Sequence, residues 1–252
     1  MNTARLSIVL LVLLAAVPAA AESTESSETT ILSFNIRYGR AADGLDSWSH
    51  RHDKVCATIA AHEPSIFGLQ ECLPEQAEVV RECFPDYEFN GVGRDDGQLE
   101  GEMCAIFTDR SRYEVLDTGV FWLSDTPGVV GSIGWDAAMT RIASWVKLRD
   151  KKCLPEIVYV FNTHFDHVGV EARRQSALLV KERLGAIAGD HPAILMGDFN
   201  ADAEGSAPHD ALAGVDLRDS WSCASREERQ KGPGTFHGFT GETSRGRIDW
   251  IL

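Results

Sequence analysis

The chain is short of basic charge. In 252 residues, 24 Lys and Arg face 38 Asp and Glu, for a formal net charge of −14. A surface of that sign repels a polyphosphate backbone, which argues against tight non-specific nucleic-acid binding. It leaves room for chemistry on a single phosphate, because a bound divalent cation inverts the charge of a small site. Glycine and proline are also sparse, at 22 and 9, far from a collagen-like or low-complexity composition. No self-similarity recurs at periods of roughly 20 to 50 residues, so a solenoid or propeller is not expected. The six cysteines, Cys56, Cys72, Cys83, Cys104, Cys153 and Cys223, include no CxxC pair and no zinc-type spacing.

What is present is ordinary globular composition, 44% hydrophobic and 25% charged. At the N-terminus Arg5 precedes the apolar run Leu6 to Val17, followed by Pro18 and Ala19-Ala20-Ala21. This is the pattern of a cleaved signal peptide over residues 1–21, and it predicts a secreted or periplasmic protein. The run is too short for a stable membrane span, and nothing later is long and apolar enough for one. Residues 22–30, ESTESSETT, read as a solvated polar linker. Residues 31–252 then form one domain, expected to act as a monomer. An oxidising compartment permits disulfides; six cysteines allow 15 pairings, and buried thiols are the alternative.

Apolar β-rich runs alternate with helical patterns, which predicts an α/β or α+β fold. Strands are expected at 31–36, 65–70, 103–108, 113–123, 143–148, 157–163 and 193–196, with another beginning at Arg247. The 103–108 and 113–123 runs read as neighbours in a meander, and 143–148 with 157–163 as a second pair. Helices are expected at 50–62, at 74–83 with Pro74 in the first turn, and at 171–188 with an apolar stripe through Ala177, Val180, Leu184 and Ile187.

Four of these strands carry or deliver polar residues of one chemical type. The first carries Asn35, the second delivers Glu71, 157–163 delivers Asn162 and His164, and 193–196 delivers Asp198 and Asn200. A carboxylate or imidazole just past an apolar strand must be hydrated, paired or bound to something, and ligands collect where strand ends converge. Hard oxygen donors with one or two histidines suit Mg²⁺ or Mn²⁺ rather than zinc. Each residue alone has a plainer reading: Asp198 and Asn200 as a turn, a histidine after a strand as a structural hydrogen-bonding group, Asn35 as a backbone partner. Their order and context carry the argument.

The motifs ILSFNIRYG, IFGLQE, FNTHFDH, ILMGDFNA and RIDWIL, in that order, resemble the endonuclease/exonuclease/phosphatase superfamily. This is the group of deoxyribonuclease I, exonuclease III, inositol polyphosphate 5-phosphatases and deadenylases. The resemblance covers residues 31–252, and the TFHGF element (Thr235–Phe239) is similar to small, secreted bacterial members. It implies a four-layer α/β sandwich of two mixed sheets flanked by helices, and metal-assisted hydrolysis of a phosphate ester. By the same resemblance Glu71 is the principal metal-ligand carboxylate, and Asn35 beside it is the second metal-site residue. His164, Asp198, Asn200 and Asp249 are catalytic, and Arg141 and Glu102 face the substrate. His237 is a further expected substrate contact.

The family continues past its RIDWI-type strand to an Asp-His motif carrying the general base. Here the sequence stops at Leu252, and all eight histidines precede Asp249. The expectation is therefore a chain cut short of that motif and of a terminal strand. A phosphate-binding module that has lost catalysis is the alternative. A glycoside hydrolase using Glu71 in a carboxylate pair would need neither the GDFN asparagine nor His164.

Overall fold

The computed structural model describes residues 28–153, 156–225, 234–242 and 246–252. The expected signal peptide and most of the expected linker lie outside them. The last linker residues do not behave as a free tether. The Glu28 carbonyl accepts from Arg112 Nη1 at 2.6 Å, and the Thr30 carbonyl accepts from the Ser65 amide at 2.8 Å. Backbone groups beside strand ends need partners, and these residues supply them.

Two mixed sheets form the centre. In the first, β1 (Ile31–Asn35) pairs in parallel with β2 (Ile66–Cys72). That pairing needs a crossover, supplied by α1 (Trp48–His62). Helix α2 (Pro74–Cys83) leads to β3 (Tyr87–Asn90), and β4 (Met103–Asp109) lies between β2 and β3, giving the order β1-β2-β4-β3. The second sheet runs β5 (Tyr113–Trp122), β6 (Ile142–Asp150), β7 (Ile157–His164), β8 (Ala193–Asp198) and β9 (Asp249–Ile251), in that spatial order. The parallel β7–β8 step is bridged by α3 (Val170–Ala188). Two short helices, α4 (Ala207–Leu212) and α5 (Ser220–Cys223), follow β8. Ser206 and Asp219 cap their N-termini through backbone amides two or three residues on.

The period-2 alternation of each strand explains the layers. Phe67 and Leu69 of β2 point outward and pack with Val55, Ile59, Ala77 and Val80 of the first two helices. Phe161 and Leu195 do the same on the other side with Ala177 and Val180 of α3. The inward faces meet through Ile66, Ile106, Val146, Leu148, Val160 and Met196. The result is helix, sheet, sheet, helix. Gly68 permits the close approach, because a Cβ there would stand 2.5 Å from Met196 Cε and 2.9 Å from Asn162 Cγ.

The expected meander of 103–108 with 113–123 is corrected. β4 and β5 are consecutive in sequence but belong to different sheets. β4 is buried on both faces and takes partners on both edges, whereas β5 is half-exposed and, among the described residues, pairs only with β6. The turn between them is held to both sheets: Arg110 N donates to Asp86 O at 3.1 Å, and the Arg112 guanidinium meets Asp150 at 2.9 Å. The cysteine question resolves to one disulfide, Cys56–Cys83, joining α1 to α2. Cys72 and Cys104 are buried thiols.

Candidate active site

The ends of β1, β2, β7 and β8 open at one rim, and β9 begins there. Asn35 stands across from Gln70, His164 across from Asp198, and Asp198 across from Asp249. Glu71 reaches the rim because the β2–β4 register slips between Leu69 and Cys72. That bulge puts Glu71 at φ +57°, a left-handed conformation that a glutamate rarely adopts. Asn200 sits at φ +47°, which asparagine tolerates better, and its amide donates to Asp198 Oδ1 at 2.9 Å. In the same GDFN turn, a Cβ on Gly197 would lie 2.1 Å from the Thr163 carbonyl.

Asn35 joins the two sheets chemically. Its Nδ2 donates to Glu71 Oε1 and to Asp198 Oδ2, each at 2.9 Å, and its Oδ1 accepts from Arg37 N at 2.9 Å. The second Glu71 oxygen accepts from Tyr38 N at 2.6 Å. Burial is the main force pushing the Asp198 carboxyl above its ordinary range, and the Glu71 charge adds to it. Asp249 is pushed up to about 7 by burial and then by Asp198 and Glu71. Its backbone N–H donates to Thr235 Oγ1 at 3.1 Å, while its own Oδ1 is enclosed without a hydrogen-bond partner. Three acidic groups thus compress one another at the rim.

His164 is buried beside them. Asn200 Nδ2 lies 2.9 Å from His164 Nε2 and donates to the Phe165 carbonyl at 3.0 Å. An amide nitrogen is a donor, so His164 Nε2 is an acceptor and the ring proton sits on Nδ1. Among the described residues that Nδ1 has no hydrogen-bond partner. Burial first, then the cations Arg141 and Arg94, hold the imidazole well below its usual 6.5, which keeps it neutral. Arg141 is also buried, with Nη2 on His167 Nδ1 at 3.1 Å and Nε facing Asp166 Oδ2 at 3.7 Å, beyond hydrogen-bond reach, while its Nη1 has no hydrogen-bond partner among the described residues. Glu102 is bound by both terminal nitrogens of Arg94, at 2.8 and 3.2 Å. Glu71, Arg94, Glu102, Arg141 and His164 share a cavity of about 10 Å³ floored by Met103, Cys104 and Ile142, about the room one water needs.

Eight of the nine expected site residues therefore gather here: Asn35, Glu71, Glu102, Arg141, His164, Asp198, Asn200 and Asp249. His237 does not join them. Its ring is exposed on the turn that Thr240 closes onto its carbonyl, and among the described residues no contact ties it to the cluster. The TFHGF element touches the site through Thr235 instead. Asn162, read as delivered with His164, points between the sheets. Arg94 and Asp166 were missed; Asp166 stands inside FNTHFDH, beside His167, and Arg94 inside the glycine-rich run GVGRDDG.

The sequence model of the Endonuclease/Exonuclease/phosphatase family matches residues 32–252. An uncharacterized protein of Acanthamoeba polyphaga mimivirus is 32% identical over 163 residues; the match spans 62% of this chain and 60% of the viral protein's length. A crystallised endonuclease/exonuclease/phosphatase of Bacteroides vulgatus is 39% identical with a TM-score of 0.79, covering 88% of this chain and 84% of its own. A mannosyl-6-phosphatase of Bacteroides thetaiotaomicron is 36% identical with a TM-score of 0.80, covering 89% and 84%. The two-sheet architecture is the deoxyribonuclease I-like fold expected from the motifs. By sequence match over almost the whole described domain, and by likeness to these bacterial structures, the chain belongs to the endonuclease/exonuclease/phosphatase family.

Proposed function

We propose that the protein hydrolyses a phosphate ester with the help of a divalent cation, Mg²⁺ or Mn²⁺. One observation carries this reading: Glu71 and Asp198, from different sheets, meet at the single amide nitrogen of Asn35 beside a neutral, half-partnered histidine. The likeness to a mannosyl-6-phosphatase supports phosphate-ester chemistry in general.

The residues fit a hard cation that keeps most of its waters. Among the described residues no group of three or more His, Cys, Asp or Glu is close enough to hold a metal by itself. Mg²⁺ characteristically takes one or two carboxylates plus water and substrate oxygens. Glu71 is the carboxylate for that role, and the mutual compression of Glu71, Asp198 and Asp249 is relieved by a positive charge. Asn35 presents nitrogen to both carboxylates, so we assign it to holding them in place. When bound, the cation polarises a phosphoryl oxygen and neutralises developing charge.

The chain's own groups supply the rest. His164 Nδ1–H donates to a phosphoryl oxygen as charge grows there. The buried Arg141 offers its Nη1, which has no hydrogen-bond partner among the described residues, as a charged donor suited to a phosphoryl oxygen. Asp198 and Asn200 orient the attacking water, with Asp249 facing Asp198 across the ladder. We also propose export from the cytoplasm, supported by the signal-type pattern of residues 1–21 and by the Cys56–Cys83 disulfide.

The test is turnover of a panel of phosphomonoesters and phosphodiesters by the full chain. His164→Ala and Asp198→Asn should each lower kcat on the best substrate by roughly 10²- to 10³-fold. Full turnover by both variants would overturn the assignment.

A further inference from the structure

Arg94 has no part in the chemistry above, and its surroundings are built with care. It lies on the loop 91–102, which folds back on itself: Arg94 N donates to Glu102 O at 3.1 Å, Gly93 N to Gln98 O at 2.9 Å and Asp95 N to Glu100 O at 3.0 Å. Gly93 is required, since a Cβ would stand 2.2 Å from the Glu100 carbonyl. The Arg94 carbonyl is pinned by Trp122 Nε1 at 2.7 Å. Thr140, next to Arg141, donates to Asp95 Oδ1 at 2.6 Å, so the two arginine-bearing loops are tied to each other one residue from each guanidinium.

Both guanidiniums are nearly enclosed, with side chains 12% and 5% exposed. A pure ion pair with Glu102 would satisfy Arg94 through its two terminal nitrogens and explain the pairing. It does not explain why Arg94 Nε, Arg141 Nη1 and His164 Nδ1 are all buried without acceptors among the described residues, on side chains that line one small cavity, whereas Arg141 Nε has the Asp166 carboxylate at 3.7 Å. Buried unmet donors are costly, and two cations near each other repel. A fold retains them where an anion supplies the acceptors.

Resting on the phosphoester reading above, we infer that Arg94 and Arg141 form a two-guanidinium cradle that selects a terminal phosphate, making the protein a phosphomonoesterase rather than a phosphodiesterase. A monoester carries close to two negative charges at neutral pH, its second pKa being about 6, and has three free oxygens. It can meet Arg94, Arg141 and His164 with one oxygen each. A diester has one charge and two such oxygens, so it leaves one of the three donors unmet and the two cations only half neutralised.

The experiment compares kcat/KM for aryl phosphates and bis-aryl phosphates in the wild type and in Arg94→Gln, together with calorimetric binding of inorganic phosphate. The wild type should prefer the monoester. Arg94→Gln should lose roughly 10- to 100-fold on the monoester, the worth of one charge-assisted hydrogen bond, change little on the diester, and weaken phosphate binding in parallel. If Arg94→Gln fails to fold, Arg94→Lys keeps the charge beside Glu102 but removes the Nε donor, and the same loss of monoester preference is expected. Faster diester turnover by the wild type, or an equal loss on both ester classes, overturns the cradle and leaves the hydrolase reading standing. Arginine-dependent phosphate binding without turnover of any ester overturns the hydrolase reading and supports the cradle as a phosphate site.

Discussion

Gln70 and Asn162 face each other across the gap between the sheets, and the Gln70 amide donates to Asn162 Oδ1 at 2.6 Å. Asn162 Nδ2 in turn donates to the carbonyls of Leu69, at 3.0 Å, and Ala105, at 2.8 Å. One fully buried side chain of the second sheet thus ties two strands of the first. Asn162→Ala removes donors from two buried carbonyls and leaves Gln70 short of an acceptor. It should cost about 2–4 kcal/mol of stability, read as a lower denaturation midpoint at unchanged m-value.

Glu71→Gln keeps the shape of the bulge and removes its charge. Titration of Mg²⁺ or Mn²⁺ into this variant should show binding weaker by at least an order of magnitude than in the wild type. Equal affinity would show that Glu71 is not the principal ligand.

Asp219 is held from three sides, by the Arg247 guanidinium, by His209 Nε2 at 2.9 Å and by Trp221 N at 3.0 Å. Burial pushes its carboxyl up, but the Arg247 and His209 hydrogen bonds outweigh it and hold it below the ordinary 3.8. A depressed folded-state pKa stabilises above the unfolded value and is lost as pH falls through the folded one. Asp219→Asn should therefore be less stable than wild type at neutral pH. The difference in melting temperature should shrink below about pH 3.8.

The Cys56–Cys83 bridge closes a loop with a sequence separation of 27. Its removal by Cys56→Ser with Cys83→Ser should cost about 3–4 kcal/mol by loop-closure entropy. Reductant should lower the melting temperature of the wild type and leave that of the double variant unchanged.

The strands and long helices were legible because their periodicities are strong. The GDFN, LQE and FNTHFDH segments gave the rim because the strand ends are where apolar runs break into acid and amide. The sheet membership of β4 and β5 was not legible. A turn as short as Arg110–Arg112 reads the same whether it joins neighbours or crosses between layers, and the choice is made by burial of both β4 faces. β3 was missed because four half-buried edge residues carry too little pattern. Arg94 stayed hidden because its loop has no periodicity, and its meaning depends on Glu102, Trp122 and Thr140, each brought there by the fold. His237 was expected as a substrate contact; its ring is exposed on the turn, and among the described residues no contact ties it to the cluster.

Asn35 and Asp198 are 163 positions apart in the chain and 2.9 Å apart in space. Neither sheet alone owns the site; it exists only along the seam where they dock. A chain that has formed only one sheet therefore holds only part of the cluster. The same seam makes ligands into struts. A cation or phosphate bound there grips both halves at once, and by mass action it favours the docked state by about 2.7 kcal/mol at a hundredfold excess over its Kd. Occupancy of the site and persistence of the fold are then one equilibrium.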